Sequence, residues 1–94
     1  MSGEKRWHLF FSGHVQGVGF RYNARQIATR LNLTGWVCNL TDRRVEAVVE
    51  GSINTLQQFV DDLSESTMGR VAEVEKIEDS ASGEFQDFEI IASR

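Results

Sequence analysis

The residues best placed to do chemistry stand at 13–21 and read Gly-His-Val-Gln-Gly-Val-Gly-Phe-Arg. Three glycines within the seven residues Gly13–Gly19 mark a loop. The loop lies between a β-favouring apolar run, Trp7–Ser12, and a helical pattern that opens at Phe20. At such a junction successive backbone N–H groups can converge on an anion. The helix N-terminus adds unpaired N–H groups and partial positive charge, and glycine lets a phosphate come close to the backbone. The spacing is not that of a Walker loop, because no Gly-Lys-Ser/Thr follows. It is not Gly-x-Gly-x-x-Gly either. Arg21 falls in the first turn of the helix, where a cation is disfavoured by roughly 0.3–1 kcal/mol at the surface. A bound anion reverses the sign of that penalty, and the planar guanidinium can grip two phosphate oxygens at once. The competing reading of the same residues is a glycine-rich turn followed by an exposed arginine.

The surrounding residues limit the reaction such a cradle could serve. Between Lys5 and Thr41 there are five basic residues and no Asp or Glu, whereas thirteen acids and five bases follow from Asp42 to Arg94. The net charge of −4 therefore hides a basic half. That asymmetry points to a local anion site rather than a nucleic-acid surface. The basic half offers no carboxylate as general base, and no Ser–His–acid set follows from spacing. Cys38 has no cationic neighbour in sequence to activate its thiol. A demanding reaction such as phosphomonoester hydrolysis lacks the machinery. A carboxylate leaving group, with a pKa of about 4–5, departs with little help, so positioning and charge stabilisation would carry the catalysis. This points to mixed anhydrides of phosphate and carboxylate. Asn39 is the candidate for positioning water, because an amide both donates and accepts hydrogen bonds and because it stands in an otherwise apolar strand. An exposed strand-end asparagine is the plainer alternative.

The elements that must position these groups follow from periodicity. Trp7–Ser12 reads as a strand and Phe20–Leu33 as a helix, with Phe20, Ala24, Ile27, Ala28 and Leu31 on one face and Asn32 as a stop. Gly35–Leu40 and Val45–Glu50 read as strands of a hairpin around the turn Asp42-Arg43-Arg44. In the second of them Glu46 and Glu50 alternate with Val45, Ala47 and Val49. Ser52 is placed to cap a second helix with Ile53, Leu56, Phe59, Val60 and Leu63 as its apolar stripe. Val71–Ile77 is a fourth strand of imperfect alternation, and Phe85–Ala92 a last one. The order is that of an α+β, ferredoxin-like βαββαβ sandwich. It predicts a four-stranded antiparallel sheet, open to a short C-terminal strand extension, with two helices on one face.

Ninety-four residues suit one domain spanning 1–94, with residues 1–5 as a flexible N-terminus. No run approaches the length of a membrane helix, and nothing after Met1 resembles a signal peptide. A cytoplasmic location is therefore expected. One cysteine and two histidines, His8 and His14, lack a metal-ligand pattern, so no metal and no cofactor are expected. His8 reads as an exposed or edge-strand residue. His14 lies in the loop, where it could tune phosphate charge. Arg25 and Arg30 read as solvated helix residues, and the acidic second half as a solvated surface.

The segment Gly13–Arg21 resembles the loop signature of the acylphosphatases throughout. Gly-Trp-Val-Cys-Asn at 35–39, continuing to Val-Glu-Ala-Val-Val-Glu-Gly at 45–51, resembles that family's second signature. The likeness runs over almost the whole chain and implies a ferredoxin-like sandwich. It implies hydrolysis of the carboxyl–phosphate bond of small-molecule acyl phosphates to a carboxylate and inorganic phosphate, without a metal. It implies that the backbone N–H groups of Gln16, Gly17, Val18, Gly19 and Phe20 hold the phosphate, that Arg21 clamps it and that Asn39 positions the attacking water, the substrate's own phosphate assisting in place of a base. A monomer with no nucleic-acid or membrane partner is expected. Three departures stand out. Asp42-Arg43-Arg44 occupies a turn where the family usually has glycine, so a positive φ there would strain Arg43 or Arg44. Cys38 stands where relatives often carry a basic or long residue, and alternation turns it away from the face of Asn39. Ser66-Thr67-Met68-Gly69 stands where relatives often have a proline. Two other functions share the same features: a non-catalytic phosphate-binding module, and an RNA-binding module of the same element order. The negative charge and the lack of an aromatic-rich strand motif weigh against the second.

Overall fold

The computed structural model describes residues 4–94. Along the chain run β1 (Lys5–His14), α1 (Phe20–Arg30), β2 (Thr34–Asn39), β3 (Val45–Gly51), α2 (Ile53–Ser64), β4 (Arg70–Ser80) and β5 (Phe88–Ile90). The sheet order is β4-β1-β3-β2-β5. Strand β1 is antiparallel to both β3 and β4, and β2 is antiparallel to β3. The expected ferredoxin-like antiparallel sheet is therefore present. The C-terminal extension is a fifth strand that lies parallel to β2, pairing Phe88–Ile90 with Gly35–Val37, so the sheet is mixed. The expected flexible N-terminus reached residue 5. Lys5 is instead paired with Gly51 and Ser80 as the first residue of β1, and residues 1–3 lie outside the described residues.

Alternation on β1 sends Trp7, Leu9 and Phe11 to the helix side, where they join Val45, Ala47 and Val49 of β3 and Val37 of β2 in one core. From α1 come Phe20, Ala24, Ile27 and Ala28, and from α2 Leu56, Phe59 and Leu63. Phe11 meets Phe20 edge-on at 5.3 Å between centroids, which pins the start of α1 to the end of β1. Ile53 does not join the stripe expected of it. It stands exposed at the first position of α2. Ser52 caps α2 as expected, accepting the Thr55 N–H at 3.3 Å. Helix α1 ends earlier than its apolar pattern implies. Asn32 adopts φ 59°, and the N–H groups of Asn32 and Leu33 return to the carbonyls of Thr29 (3.1 Å) and Ala28 (2.8 Å), a Schellman closure.

The imperfect alternation of β4 has a local cause. The register with β1 shifts at Ser12/Gly13, where Glu73 pairs with Ser12 and Val71 with Gly13, leaving Ala72 as an extra residue. That bulge restores parity, so Val71 and Val74, three apart, both pack against the core. The turn between β2 and β3 places Arg43 at φ 79°, the strain the missing glycine implies. Asp42 braces this turn by accepting the Arg44 N–H at 3.0 Å and its Nε at 2.8 Å.

Two glutamates expected at a solvated surface are buried. Glu46 and Glu50 are only 7% and 3% exposed, because β3 is a central strand and side chains of both neighbouring strands fold over its outer face. Glu46 pairs with His8 Nε2 at 2.6 Å and accepts the Cys38 Sγ–H at 3.7 Å, with Arg94 Nε 3.6 Å away. Glu50 accepts Arg6 Nε at 2.7 Å, the N–H groups of Ser82 (2.8 Å) and Gly83 (3.0 Å) and the Ser82 hydroxyl at 3.0 Å. His8 is accordingly no edge residue. It lies on the interior strand β1, stacked on Phe10 at 4.7 Å.

Candidate active site

Strand β1 delivers the chain to the top of the sheet, and the loop Val15–Gly19 turns it into α1. Val15 is buried and anchors the loop to the core. Gly17 and Gly19 take φ 75° and 79°, left-handed values at which a side chain would be strained. At Gly19 a Cβ would also meet Met68 Cε at 2.8 Å. Gly19 is the residue that precedes α1, and it has no side chain to cap the helix. Its carbonyl accepts the Asn23 N–H at 3.0 Å, so helical bonding begins there. The N–H groups of the first turn, Phe20 to Tyr22, are thus left without intrahelical partners. That turn contains no acid. A helix start of this kind is an anion site in waiting, with Arg21 adding a full positive charge.

Gly17, Gly19, Phe20 and Arg21 line one hollow of about 170 Å³, together with Val15, Tyr22 and Ile90. Gln16 lines an adjoining hollow of about 330 Å³ with Gly13, His14, Val15 and Arg43. Val18 turns the other way, toward His14, Thr67, Gly69 and Arg70, so it can offer a ligand only its backbone. The segment between α2 and β4 backs both the loop and the start of α1. Met68 stands against Gly19, and Asn23 Nδ2 donates to Ser66 Oγ at 2.6 Å.

Asn39 is the last residue of β2 and shares the helix-facing side with Val37. Its Oδ1 is buried and has no hydrogen-bond partner among the described residues. Leaving an acceptor in that state costs about 1–3 kcal/mol. Asn39 does not line either hollow. It is joined to the loop through Gln16, whose Nε2 donates to the carbonyls of Leu40 at 2.8 Å and Arg44 at 2.9 Å. Cys38 faces the opposite side, against Glu46. Burial pushes its thiol up, and the nearby Glu46 carboxylate adds to this against the opposing charges of Arg94 and Arg21. A thiol so held is no nucleophile at neutral pH.

Sequence reasoning gave Gln16 only a backbone role and missed its side-chain bonds. It also missed Tyr22 and Ile90 as walls of the hollow. An amide inside a glycine-rich loop was a readable signal for the first. Ile90 carries no such signal, because its place depends on the parallel pairing of β5. Among the described residues no group of three or more His, Cys, Asp or Glu side chains is arranged to hold a metal ion.

Comparison with known proteins fits this geometry. The family model described as Acylphosphatase matches residues 7–90. The acylphosphatase of Syntrophobacter fumaroxidans is 44% identical over 92 residues, covering 97% of this chain and 95% of that protein. The crystal structure of acylphosphatase from Bacillus subtilis superposes with a TM-score of 0.88 at 35% identity, covering 93% of this chain and 98% of that one. An acylphosphatase from Coxiella burnetii gives a TM-score of 0.85 at 34% identity, covering 95% and 94%.

Proposed function

This chain belongs to the acylphosphatase family, and from that premise we propose how its residues divide the work. The reaction is hydrolysis of the carboxyl–phosphate bond of an acyl phosphate, giving a carboxylate and inorganic phosphate. The N–H groups of Gln16, Gly17, Val18, Gly19 and Phe20 hold the phosphoryl oxygens, and Arg21 neutralises the charge that builds on them. Asn39 receives the attacking water. Its amide holds the water by a hydrogen bond and aims the water oxygen at phosphorus. The P–O bond to the acyl group breaks, and its electron pair leaves with the carboxylate. The proton released by the water passes to a phosphate oxygen, so no protein base is required. The observation that carries these roles is a helix start that presents free N–H groups and an arginine and contains no acid, tied through the Gln16 side chain to the Leu40 carbonyl next to Asn39.

The test is turnover of benzoyl phosphate in the presence of a chelator, with inorganic phosphate as inhibitor. Arg21→Gln and Asn39→Ala are each expected to lose about 100-fold or more in kcat while keeping the far-ultraviolet spectrum of the parent and a thermal midpoint no lower than its own. Unchanged turnover in both would sink the assigned roles. We propose that the chain works in the cytoplasm as a monomer on a small molecule, with no membrane or nucleic-acid partner. The net charge of −4 supports the last point. No helix among the described residues is long and apolar enough to cross a membrane. Gel filtration and a gel shift at moderate salt test the monomer and the nucleic-acid statement.

A further inference from the structure

We propose that the Gln16 side chain is the positioning residue that sets Asn39 against the phosphate loop. This rests on the roles given above to the loop and to Asn39. Both protons of the Gln16 amide are spent on one turn: one goes to the Leu40 carbonyl at 2.8 Å and the other to the Arg44 carbonyl at 2.9 Å. These two residues close the β2–β3 turn, since the Leu40 N–H also donates to the Arg44 carbonyl at 2.9 Å. Leu40 follows Asn39 directly. On the other flank the Asn39 carbonyl accepts the Arg94 N–H at 3.0 Å. The backbone around Asn39 is thus held from both sides, while its Oδ1 receives nothing from the protein. With no side-chain partner to orient that oxygen, its place is set through the backbone. The β2–β3 ladder also pairs Asn39 with Val45, and of these backbone anchors only Gln16 belongs to the cradle.

The fork therefore fixes the distance between the group that holds the phosphate and the group that holds the water. Misplacing a reacting group by about 1 Å can cost about 100-fold in rate, so a modest slip of the hairpin is enough to matter. Arg43, between the two anchored carbonyls, sits at φ 79°, and the Gln16 fork spans that strained residue from outside.

Gln16→Met keeps the length of the side chain and removes both donors, and Gln16→Asn retains the donors but falls short of the carbonyls. In each, kcat on benzoyl phosphate is expected to fall about 10- to 100-fold. The inhibition constant for inorganic phosphate should stay within about threefold, because the loop N–H groups and Arg21 remain. Combined with Asn39→Ala, Gln16→Met is expected to lower kcat no further than Asn39→Ala alone. Three results would overturn the proposal: an undiminished kcat in Gln16→Met while Asn39→Ala is impaired, an equal loss on both backgrounds, or a loss of phosphate affinity that accounts for the whole effect. Parent-like turnover in Asn39→Ala would instead remove the reading of Asn39 itself. Where the methionine variant does not fold, the asparagine variant carries the same comparison.

Discussion

Arg43 shows how single residues bear the cost of this fold. Its φ of 79° places a β-carbon where left-handed backbone costs roughly 1–2 kcal/mol. Arg43→Gly removes that strain at an entropic cost of about 0.5–1 kcal/mol. The expected net is a gain of up to about 1 kcal/mol, visible as a higher urea midpoint at constant m-value. A lower midpoint would mean that the arginine side chain contributes more than its backbone costs. The strain was readable beforehand, because Asp42-Arg43-Arg44 leaves no glycine for a turn that calls for one. Gln16 was readable only in part. Its neighbours announce a phosphate loop, but two bonds to carbonyls 24 and 28 residues away depend on where the hairpin lands. Periodicity does not carry that information.

At the scale of elements, the outer face of the sheet is where sequence patterning says least. Alternation correctly puts Glu46 and Glu50 opposite the helices. It cannot say that Arg6, Ser82 and Gly83 close over Glu50, since these come from β1 and from the loop before β5. The consequence is acid lability. Burial alone would raise the Glu50 carboxyl, but the Ser82 N–H, the Arg6 guanidinium, the Gly83 N–H and the Ser82 hydroxyl together outweigh it and hold it below its ordinary 4.5. A carboxylate whose folded pKa is lowered adds stability above the ordinary value, and that stability is lost as pH falls through the folded one. Glu50→Gln is expected to cost about 2 kcal/mol at neutral pH. It should also flatten part of the fall in urea midpoint as pH drops below the ordinary carboxylate range. A variant with the parent's slope over that range would show that Glu50 does not govern it. The β4 bulge belongs to the same scale. Val71 and Val74 look out of phase until one residue, Ala72, is taken out of the ladder.

For the molecule as a whole, the order of elements and the helix stripes were legible because each follows from a local period. The parallel partnership of β5 with β2 was not, because three residues carry too little pattern to choose a neighbour. The cradle and its arginine were legible because glycines and a cation at a helix start break local preference, and such breaks mark functional sites.

The pairing of β1 with β4 also sets an order in time. The loop follows β1 directly, yet His14 at its edge is paired with Arg70, Asn23 is bonded to Ser66, and Gly19 packs on Met68. A ligand cradle coded early in the gene is completed only by chain coded late, so a nascent polypeptide must wait for that segment before it can bind an anion. Phosphate that binds only the finished fold stabilises it by about 2.7 kcal/mol at a hundredfold excess over Kd. In stopped-flow experiments followed through Trp7 and Trp36, that gain is expected to appear as slower unfolding with the refolding rate unchanged. Faster refolding in phosphate would place the assembly of the cradle before the main barrier. On that expectation, phosphate acts as a latch on the finished molecule and gives no help in making it.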